Sequence, residues 1–252
     1  MRFRIMTGAL AALALLAPVI AGLDGTARAQ ALTPDQTKQV EAIVRRMIQD
    51  QPRMILDALQ QLRREEEAAA DAKALETVKQ KRDEIVGDPT APVGGNPEGD
   101  VSLVEFFDYS CPYCKAVADR LMQTVKSDGK VKLVFKEFPI LGPQSVFASR
   151  AALAAQSQGK YLEFHIALMK LKDRLTDELT LKVAKDVGLD VERLKQDMAS
   201  PEISRILERN SDLAEALNIR GTPAFVIGDK LVPGAVDAET LAKLIGEARK
   251  RG

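Results

Sequence analysis

The apolar positions of residues 30–86 recur with helical spacing, which predicts an N-terminal helical extension. Thr33, Pro34 and Gln36 form a helix-start signal, because threonine can cap, proline suits the first turn and glutamine can complete a capping box. Pro52 should interrupt the helix, since it lacks a backbone N–H. A thinner apolar stripe follows it. The first and clearest stripe consists of Val40, Ile43, Val44, Met47 and Ile48.

A turn-rich segment, residues 88–97, separates this extension from a chain of different pattern. Val101–Phe107 is a predicted strand because β-branched and aromatic residues concentrate there, and Lys130–Phe138 is a second because apolar residues alternate with lysines. Cys114–Lys126, between them, has the spacing of a helix. Strand, helix and strand in this order predict a parallel βαβ unit.

Residues 144–217 show no strand pattern and predict a block of helices. These helices are Ser145–Gln158, Lys160–Leu171, Thr180–Val187, Val191–Met198 and Glu202–Leu217. Ala224–Ile227 and Lys230–Val232 then flank Gly228-Asp229, a two-residue hairpin signal, and Asp237 should cap a final helix. The whole order predicts an α/β, thioredoxin-like fold with an inserted helical block, preceded by a helical extension. We place the boundary between extension and catalytic domain at residues 87 and 88.

Residues 1–29 have the features of a signal peptide. Arg2 and Arg4 precede an uncharged apolar stretch from Gly8 to Gly22, and Ala27-Arg28-Ala29 offers a small-x-small cleavage site. A membrane anchor is the alternative, but it needs about 20 apolar residues. The pattern therefore predicts an exported protein.

The charge balance argues against one class of partner. Without residues 1–29 the chain holds 33 basic and 35 acidic residues. Because binding to phosphates needs a basic surface, we expect no nucleic-acid partner.

The two cysteines of the chain lie three residues apart, in Cys111-Pro112-Tyr113-Cys114. They follow a predicted strand and begin a predicted helix, where unpaired N–H groups and the helix dipole favour a thiolate. A thiolate is the reactive form of cysteine, and Pro112 suits the first helical turn. The spacing therefore predicts a redox pair, with Cys111 as the exposed nucleophile and Cys114 as the more buried resolving thiol.

Three other interpretations of the pair are weaker. A structural disulfide closing so short a loop would remove little chain entropy. A zinc site needs about four ligands, whereas the chain offers two cysteines and one histidine, His165. Covalent haem needs a histidine directly after the second cysteine, where Lys115 stands. We therefore expect no metal and no cofactor beyond the redox-active pair itself.

Two further positions have open interpretations from the residues alone. Pro223, in Gly221-Thr222-Pro223, precedes a predicted strand, and its position alone suits a trans proline at a strand start. For His165 a surface or packed role is favoured over a catalytic one, because its neighbours in the sequence supply no nucleophile.

Three motifs resemble the DsbA family of periplasmic disulfide oxidoreductases. They are Phe106-Phe107-Asp108-Tyr109-Ser110 before the cysteine pair, Lys136-Glu137-Phe138-Pro139-Ile140-Leu141-Gly142, and Gly221-Thr222-Pro223. The resemblance covers about residues 88–250. Within the family, the helical extension is similar to that of the ScsC-like and Com1-like members.

The resemblance implies roles for individual residues. Cys111 and Cys114 correspond to the redox pair, Pro223 to a cis proline that faces it, and Thr222 to a residue that contacts the substrate backbone. Glu105 corresponds to a buried acid that assists proton movement, and its alternative is a surface carboxylate on a strand. Burial would raise the proton affinity of such an acid.

Two departures from the oxidase prototype bear on function. Tyr113 stands where the prototype has histidine, and Thr222 where it has valine. Loss of the histidine implies a less oxidising pair, so we prefer disulfide isomerase or reductase activity over a DsbA-type oxidase. A binding or chaperone module with incidental cysteines is the distant alternative.

The resemblance also implies a periplasmic location and two kinds of partner. These are unfolded or misoxidised exported proteins and a membrane redox partner. The apolar stripes of residues 30–87 could form a homo-oligomer interface. Alternatively, this segment folds onto its own catalytic domain or remains a solvated helix.

Overall fold

The computed structural model describes residues 31–251. The extension contains α1 (Pro34–Asp50), α2 (Pro52–Gln80) and α3 (Arg82–Val86). The strands are β1 (Val93–Gly95), β2 (Val101–Phe107), β3 (Val131–Glu137), β4 (Ala224–Ile227) and β5 (Lys230–Pro233). The remaining α-helices are α4 (Pro112–Asp128), α5 (Pro143–Ala155), α6 (Tyr161–Met169), α7 (Asp177–Asp186), α8 (Val191–Met198), α9 (Pro201–Ala216) and α10 (Ala238–Arg251).

The five strands form one mixed sheet in the order β1-β3-β2-β4-β5. β2 and β3 are parallel, as the βαβ pattern predicted, and the other pairs are antiparallel. The helical block lies between β3 and β4 in the chain. This is the thioredoxin-like α/β fold with an inserted helical block, which confirms the predicted fold class.

β1 is the strand that the sequence analysis missed. Its residues, Val93, Gly94 and Gly95, look like part of a turn because two of the three are glycines. The structure explains these glycines by close packing against β3. A Cβ at Gly95, where φ is +67°, would come within 2.5 Å of the carbonyl oxygen of Val131.

The alternation of apolar residues along the strands covers both faces of the sheet. One face packs against α4, the helical block and α10 through residues such as Leu103, Phe107 and Phe135. The opposite face carries Val104 and Phe106, which pack against the end of α2, α3 and α9. Because both faces are covered, the end of β2, from Glu105 to Phe107, is packed on two sides, and so is the start of the loop that follows it.

The extension begins as the sequence predicted. Thr33 and Gln36 form a reciprocal capping box, Pro34 occupies the first turn, and the helix stops before Pro52. None of the α1 residues is buried. The stripe Val40, Ile43, Val44, Met47 and Ile48 is 42–58% exposed.

The chain divides into two compact units between Gln60 and Gln61, within α2. This division precedes the predicted boundary at residue 87, because Val78 and Ile85 are buried in the core of the second unit. The part of α2 from Gln61 to Gln80, called its second half below, therefore belongs structurally with the sheet.

No helix within residues 31–251 has the length and apolar character to span a bilayer. The predicted signal peptide, residues 1–29, lies outside the described residues.

A buried ion pair joins the sheet to the segment after α3. Lys136 Nζ lies 2.7 Å from Asp88 Oδ2, and the two side chains are 2% and 12% exposed. Asp88 Oδ1 also accepts hydrogen bonds from the backbone N–H and the hydroxyl of Thr90. Removing one partner of a buried pair leaves the other charge uncompensated.

We expect Lys136→Met to lower the free energy of unfolding by about 3 kcal/mol, because Asp88 loses its counter-charge. Urea denaturation of the reduced protein measures this. The matched control is Lys182→Met, which removes an exposed pair with Asp186 and should change the free energy by less than about 0.5 kcal/mol. An equal change in the free energy of unfolding in both variants would contradict a stabilising role for the buried Lys136–Asp88 pair.

Candidate active site

The loop between β2 and α4 places the cysteine pair at a helix N-terminus. Cys111 is the N-cap residue of α4, Pro112 begins the helix, and Cys111 Sγ accepts a hydrogen bond from the N–H of Cys114 at 3.4 Å. Both cysteines are free thiols. Cys111 is 3% exposed and Cys114 is fully buried. Cys111 is thus the more exposed of the two, as predicted, but the expectation of an exposed thiol was wrong.

The chain before β4 accounts for the burial of Cys111. In its thiol form, Cys111 donates a hydrogen bond from Sγ to the carbonyl oxygen of Thr222, at 3.2 Å. The Thr222–Pro223 peptide bond is cis, so the trans alternative was wrong. The antiparallel pairing of Ala224 with Phe106 places this segment beside the end of β2. Predicted site residues from two segments distant in sequence therefore meet: Cys111 and Cys114 from one, and Thr222 and Pro223 from the other.

The two thiols differ in acidity. A hydrogen bond from the Cys114 side chain is the largest influence on Cys111. Hydrogen bonds from the Thr222 side chain and from the backbone N–H groups of Tyr113 and Cys114 add to it. Together they outweigh burial and lower the pKa of Cys111 to about 6. The same hydrogen bond, reinforced by burial, raises the pKa of Cys114 well above its ordinary value. At neutral pH the pair therefore holds one thiolate, at Cys111, and one proton, at Cys114.

Glu105 lies on β2 beneath the pair and is buried, which overturns the alternative of a surface carboxylate. Its Oε1 has no hydrogen-bond partner among the described residues. Burial, and secondarily the charge on Cys111, raises the pKa of Glu105 to about 8. The charge on Glu105 also contributes to raising the pKa of Cys114. Glu105 can therefore hold a proton near neutral pH, and its charge interacts with those of both cysteines.

Asp108 organises the loop that leads into Cys111, and the sequence analysis assigned it no role. Its buried carboxylate accepts hydrogen bonds from Ser110 N at 2.7 Å, Ser145 Oγ at 2.6 Å and Leu141 N at 2.9 Å. Its carbonyl oxygen accepts one from the N–H of Cys111 at 3.0 Å. The Asp-x-Ser spacing before a helix was the available signal, because Asp side chains commonly bond to the backbone two residues on.

A second buried cluster behind the site was also missed. Tyr109 Oη lies 3.0 Å from His165 Nδ1, and Tyr161 Oη donates to Glu137 Oε1 at 2.6 Å. Burial lowers the pKa of His165 to about 3 and raises that of Glu137 to about 7. His165 is therefore a neutral packed histidine, in agreement with the favoured interpretation.

Four exposed apolar side chains, here called the apolar patch, lie on α4 and on the segments that hydrogen bonds to Asp108 hold near the pair. Tyr113, between the cysteines, is 66% exposed. Ile140 and Leu141 follow β3, Val146 lies on α5, and all three are exposed. Leu141 is bonded to Asp108, so this apolar patch is fixed to the loop that carries Cys111.

Within residues 31–251 no group of three or more histidine, cysteine, aspartate or glutamate side chains is arranged to hold a metal ion.

The sheet order, the cysteine pair at a helix N-terminus and the proline loop against it define a thioredoxin-like oxidoreductase. Residues 102–246 match the DSBA-like thioredoxin domain family, so the chain belongs to that family. It is a thiol–disulfide oxidoreductase of the DsbA and ScsC type.

Individual relatives agree with this assignment. The probable disulfide bond formation protein D of Bacillus anthracis is 30% identical over 186 residues, which are 69% of this chain and 85% of that protein. A thioredoxin-like oxidoreductase from Silicibacter pomeroyi is 48% identical, with a TM-score of 0.66 over 67% of this chain and 98% of its own. A linker-deletion mutant of Proteus mirabilis ScsC is 28% identical, with a TM-score of 0.69 over 89% of this chain and 100% of its own.

The ScsC match reaches into the helical extension, which confirms the likeness to ScsC-like members. Other curated relatives are much longer proteins. The chain spans 27% and 24% of the length of Na(+)/H(+) antiporters from Mycobacterium and Salinispora tropica.

We expect the reduced protein to show a thiolate transition with a midpoint near pH 6, because Cys111 ionises there. The absorbance of the thiolate at 240 nm follows it, and the rate of alkylation should fall in parallel as the pH drops through the midpoint. Cys114→Ala should move the midpoint upward, since it removes the largest stabilising contact. Cys111→Ala should show no transition below pH 8, and a transition that persists there would contradict the assignment.

Proposed function

We propose that the protein exchanges disulfides with exported proteins through Cys111 and Cys114. The Cys111 thiolate attacks a substrate disulfide, forms a mixed disulfide and releases the other substrate sulfur as a thiolate. In reduction, Cys114 gives up its proton and attacks Cys111 Sγ, so that the substrate leaves with two electrons and the pair becomes a disulfide. In isomerisation, a substrate thiolate resolves the mixed disulfide instead, and the pair returns to its reduced form.

The observation that carries this proposal is the environment of Cys111 Sγ. The sulfur lies 3.4 Å from the N–H of Cys114 and 3.2 Å from the carbonyl oxygen of Thr222. The first contact stabilises a thiolate at the helix N-terminus. The second places the attacking atom directly against the segment that would hold a substrate backbone.

The other site residues have supporting roles in this scheme. The ionised fraction of Glu105 accepts the proton of Cys114 when that thiol attacks. Cys111 carries no charge in the mixed disulfide, so one of the two causes that raise the pKa of Glu105 is then absent. Pro112 begins α4 and so fixes the direction of its N-terminus. Thr222 and Pro223 hold the substrate main chain beside Cys111. Tyr113 contributes apolar surface at the entrance.

The apolar patch of Tyr113, Ile140, Leu141 and Val146 supports unfolded or misoxidised proteins as substrates, since such chains expose apolar side chains. The family to which the chain belongs supports a periplasmic location, with residues 1–29 removed after export. It also supports a membrane redox partner that resets the pair. The scheme uses the Cys111–Cys114 disulfide and no other cofactor.

We favour isomerase or reductase activity over oxidase activity. The pKa of a nucleophilic cysteine is about 3.5 in DsbA and about 7 in thioredoxin, and that of Cys111 is about 6. A less acidic thiol means a less stabilised reduced form and hence a weaker oxidant. A DsbA-type dithiol oxidase is the alternative.

We further propose that residues 30–87 serve oligomerisation through α1. All five apolar residues of its first stripe are exposed, and they lie on one helical face at the spacing of a seam. A second copy of the chain would cover this face. Several catalytic units around one assembly would suit isomerisation, because one substrate can then meet more than one redox pair.

The double substitution Val44→Glu and Met47→Glu tests the oligomer and the isomerase activity together. We expect the parent protein to have a reduction potential below about −120 mV, the value for DsbA, and to refold scrambled ribonuclease. The variant should sediment at equilibrium as a monomer and lose most refolding activity, while the potential, measured against glutathione, stays unchanged.

The control places the same charges on the opposite face of α1, as Ala42→Glu and Gln49→Glu, and should preserve both the oligomer and the refolding. A parent potential near −120 mV without refolding activity would make the protein an oxidase. A parent protein that sediments as a monomer at micromolar concentration would exclude the oligomer.

A further inference from the structure

A groove of about 730 Å³ lies between the second half of α2 and the loops on either side of β4 and β5. Ala70, Ala74 and Thr77 line it from α2. Their spacing of four and three residues places them on one helical face. The volume is within the range of about 300–1,000 Å³ that is usual for ligand sites in proteins.

The groove adjoins the proposed active site at Thr222 and Pro223. Its opposite wall includes Thr222 and Pro223, and the carbonyl oxygen of Thr222 is the group that touches Cys111 Sγ. A substrate joined to Cys111 by a disulfide must extend away from that sulfur. One direction leads over the apolar patch around Tyr113, and the groove offers the other.

Two backbone N–H groups on the groove wall are available to a ligand. In the described part of the protein, the N–H groups of Gly221 and Thr222 donate to no other group. A Cβ added at Gly221 or at Gly234, which also lines the groove, would meet nothing within 4 Å. Open backbone of this kind suits the main chain of an extended peptide, which can pair with it as an added strand does.

The α2 wall is fixed to the same compact unit as the loops. The adjacent residue on α2, Val78, is buried in the core with Leu217 and Ile219, and these two residues also line the groove. The charged side chains along it are of both signs, Asp71 and Glu215 with Lys73 and Arg220. This balance favours no single charge on a ligand and suits polypeptides of varied sequence.

We infer that the second half of α2 is a wall of the substrate-binding groove, where Ala70, Ala74 and Thr77 lie against the polypeptide that is disulfide-bonded to Cys111. This inference rests on the proposed exchange function and adds a second role for the extension. α1 serves assembly, whereas α2 contacts substrate. The small side chains on this face leave the space that the peptide occupies.

Filling the groove tests the inference. Ala74→Trp and Ala70→Trp each place a large ring in the space, and Ala72→Trp places the same ring on the other side of α2. The probe is the symmetric disulfide of a synthetic peptide of about ten residues, long enough to extend about 33 Å, with one central cysteine. Attack on either sulfur then joins the peptide to Cys111. The reduction of this probe and that of glutathione disulfide are followed by acid quenching and mass spectrometry.

We expect the ratio of the peptide rate to the glutathione rate to fall about tenfold in Ala74→Trp and in Ala70→Trp, because the ring competes with the peptide for space. Ala72→Trp should leave the ratio unchanged. Circular dichroism identifies a variant that fails to fold, and the exposed position of Ala70 provides the second test in that case.

A parent protein that reduces both compounds, together with an unchanged ratio in the groove variants, would overturn this inference and leave the exchange function intact. A fall of equal size in Ala72→Trp would also overturn it, since the effect would then not depend on the groove. A parent protein that reduces neither compound would overturn the proposed function and the inference with it.

Discussion

The hydrogen bonds that fix the turn between β2 and α4 are the constraint on which the site depends. Asp108 is buried and binds three groups, in the turn itself, after β3 and on α5. Its backbone carbonyl also holds the N–H of Cys111. A turn fixed in this way presents Cys111 at the helix N-terminus, where the N–H of Cys114 reaches its sulfur. The difference in acidity between the two thiols follows from that position.

The sheet order supplies the second half of the site. β4 lies beside β2 although more than one hundred residues separate them. The pairing of Ala224 with Phe106 fixes the position of the loop before β4 relative to the end of β2. Thr222 and Pro223 consequently face the sulfur of Cys111. The inserted helices contribute Ser145, which binds Asp108, and the apolar patch beside Tyr113. The second half of α2 forms one wall of the groove that Thr222 and Pro223 also line.

The fold was predictable because its strands and helices have clear periodic patterns. β2 and β4 were predicted with their observed bounds, and the capping box at Thr33 marked the start of α1. β1 could not be found, because a strand of Val93 and two glycines is defined by packing against Val131 rather than by its own pattern. The cysteine pair was evident from spacing. The burial of Cys111, and the roles of Asp108 and Glu137, depend on contacts between segments distant in sequence.

Covalent trapping tests most directly whether Cys111 forms the covalent bond to substrate and Cys114 resolves it. The Cys114→Ser variant is mixed with scrambled ribonuclease, and the products are analysed by non-reducing mass spectrometry with peptide mapping. We expect a mixed disulfide that joins ribonuclease to Cys111 to accumulate, and to be absent when Cys111 is also changed to serine. Absence of any covalent complex with Cys114→Ser, under conditions where the parent protein exchanges disulfides, would contradict these roles.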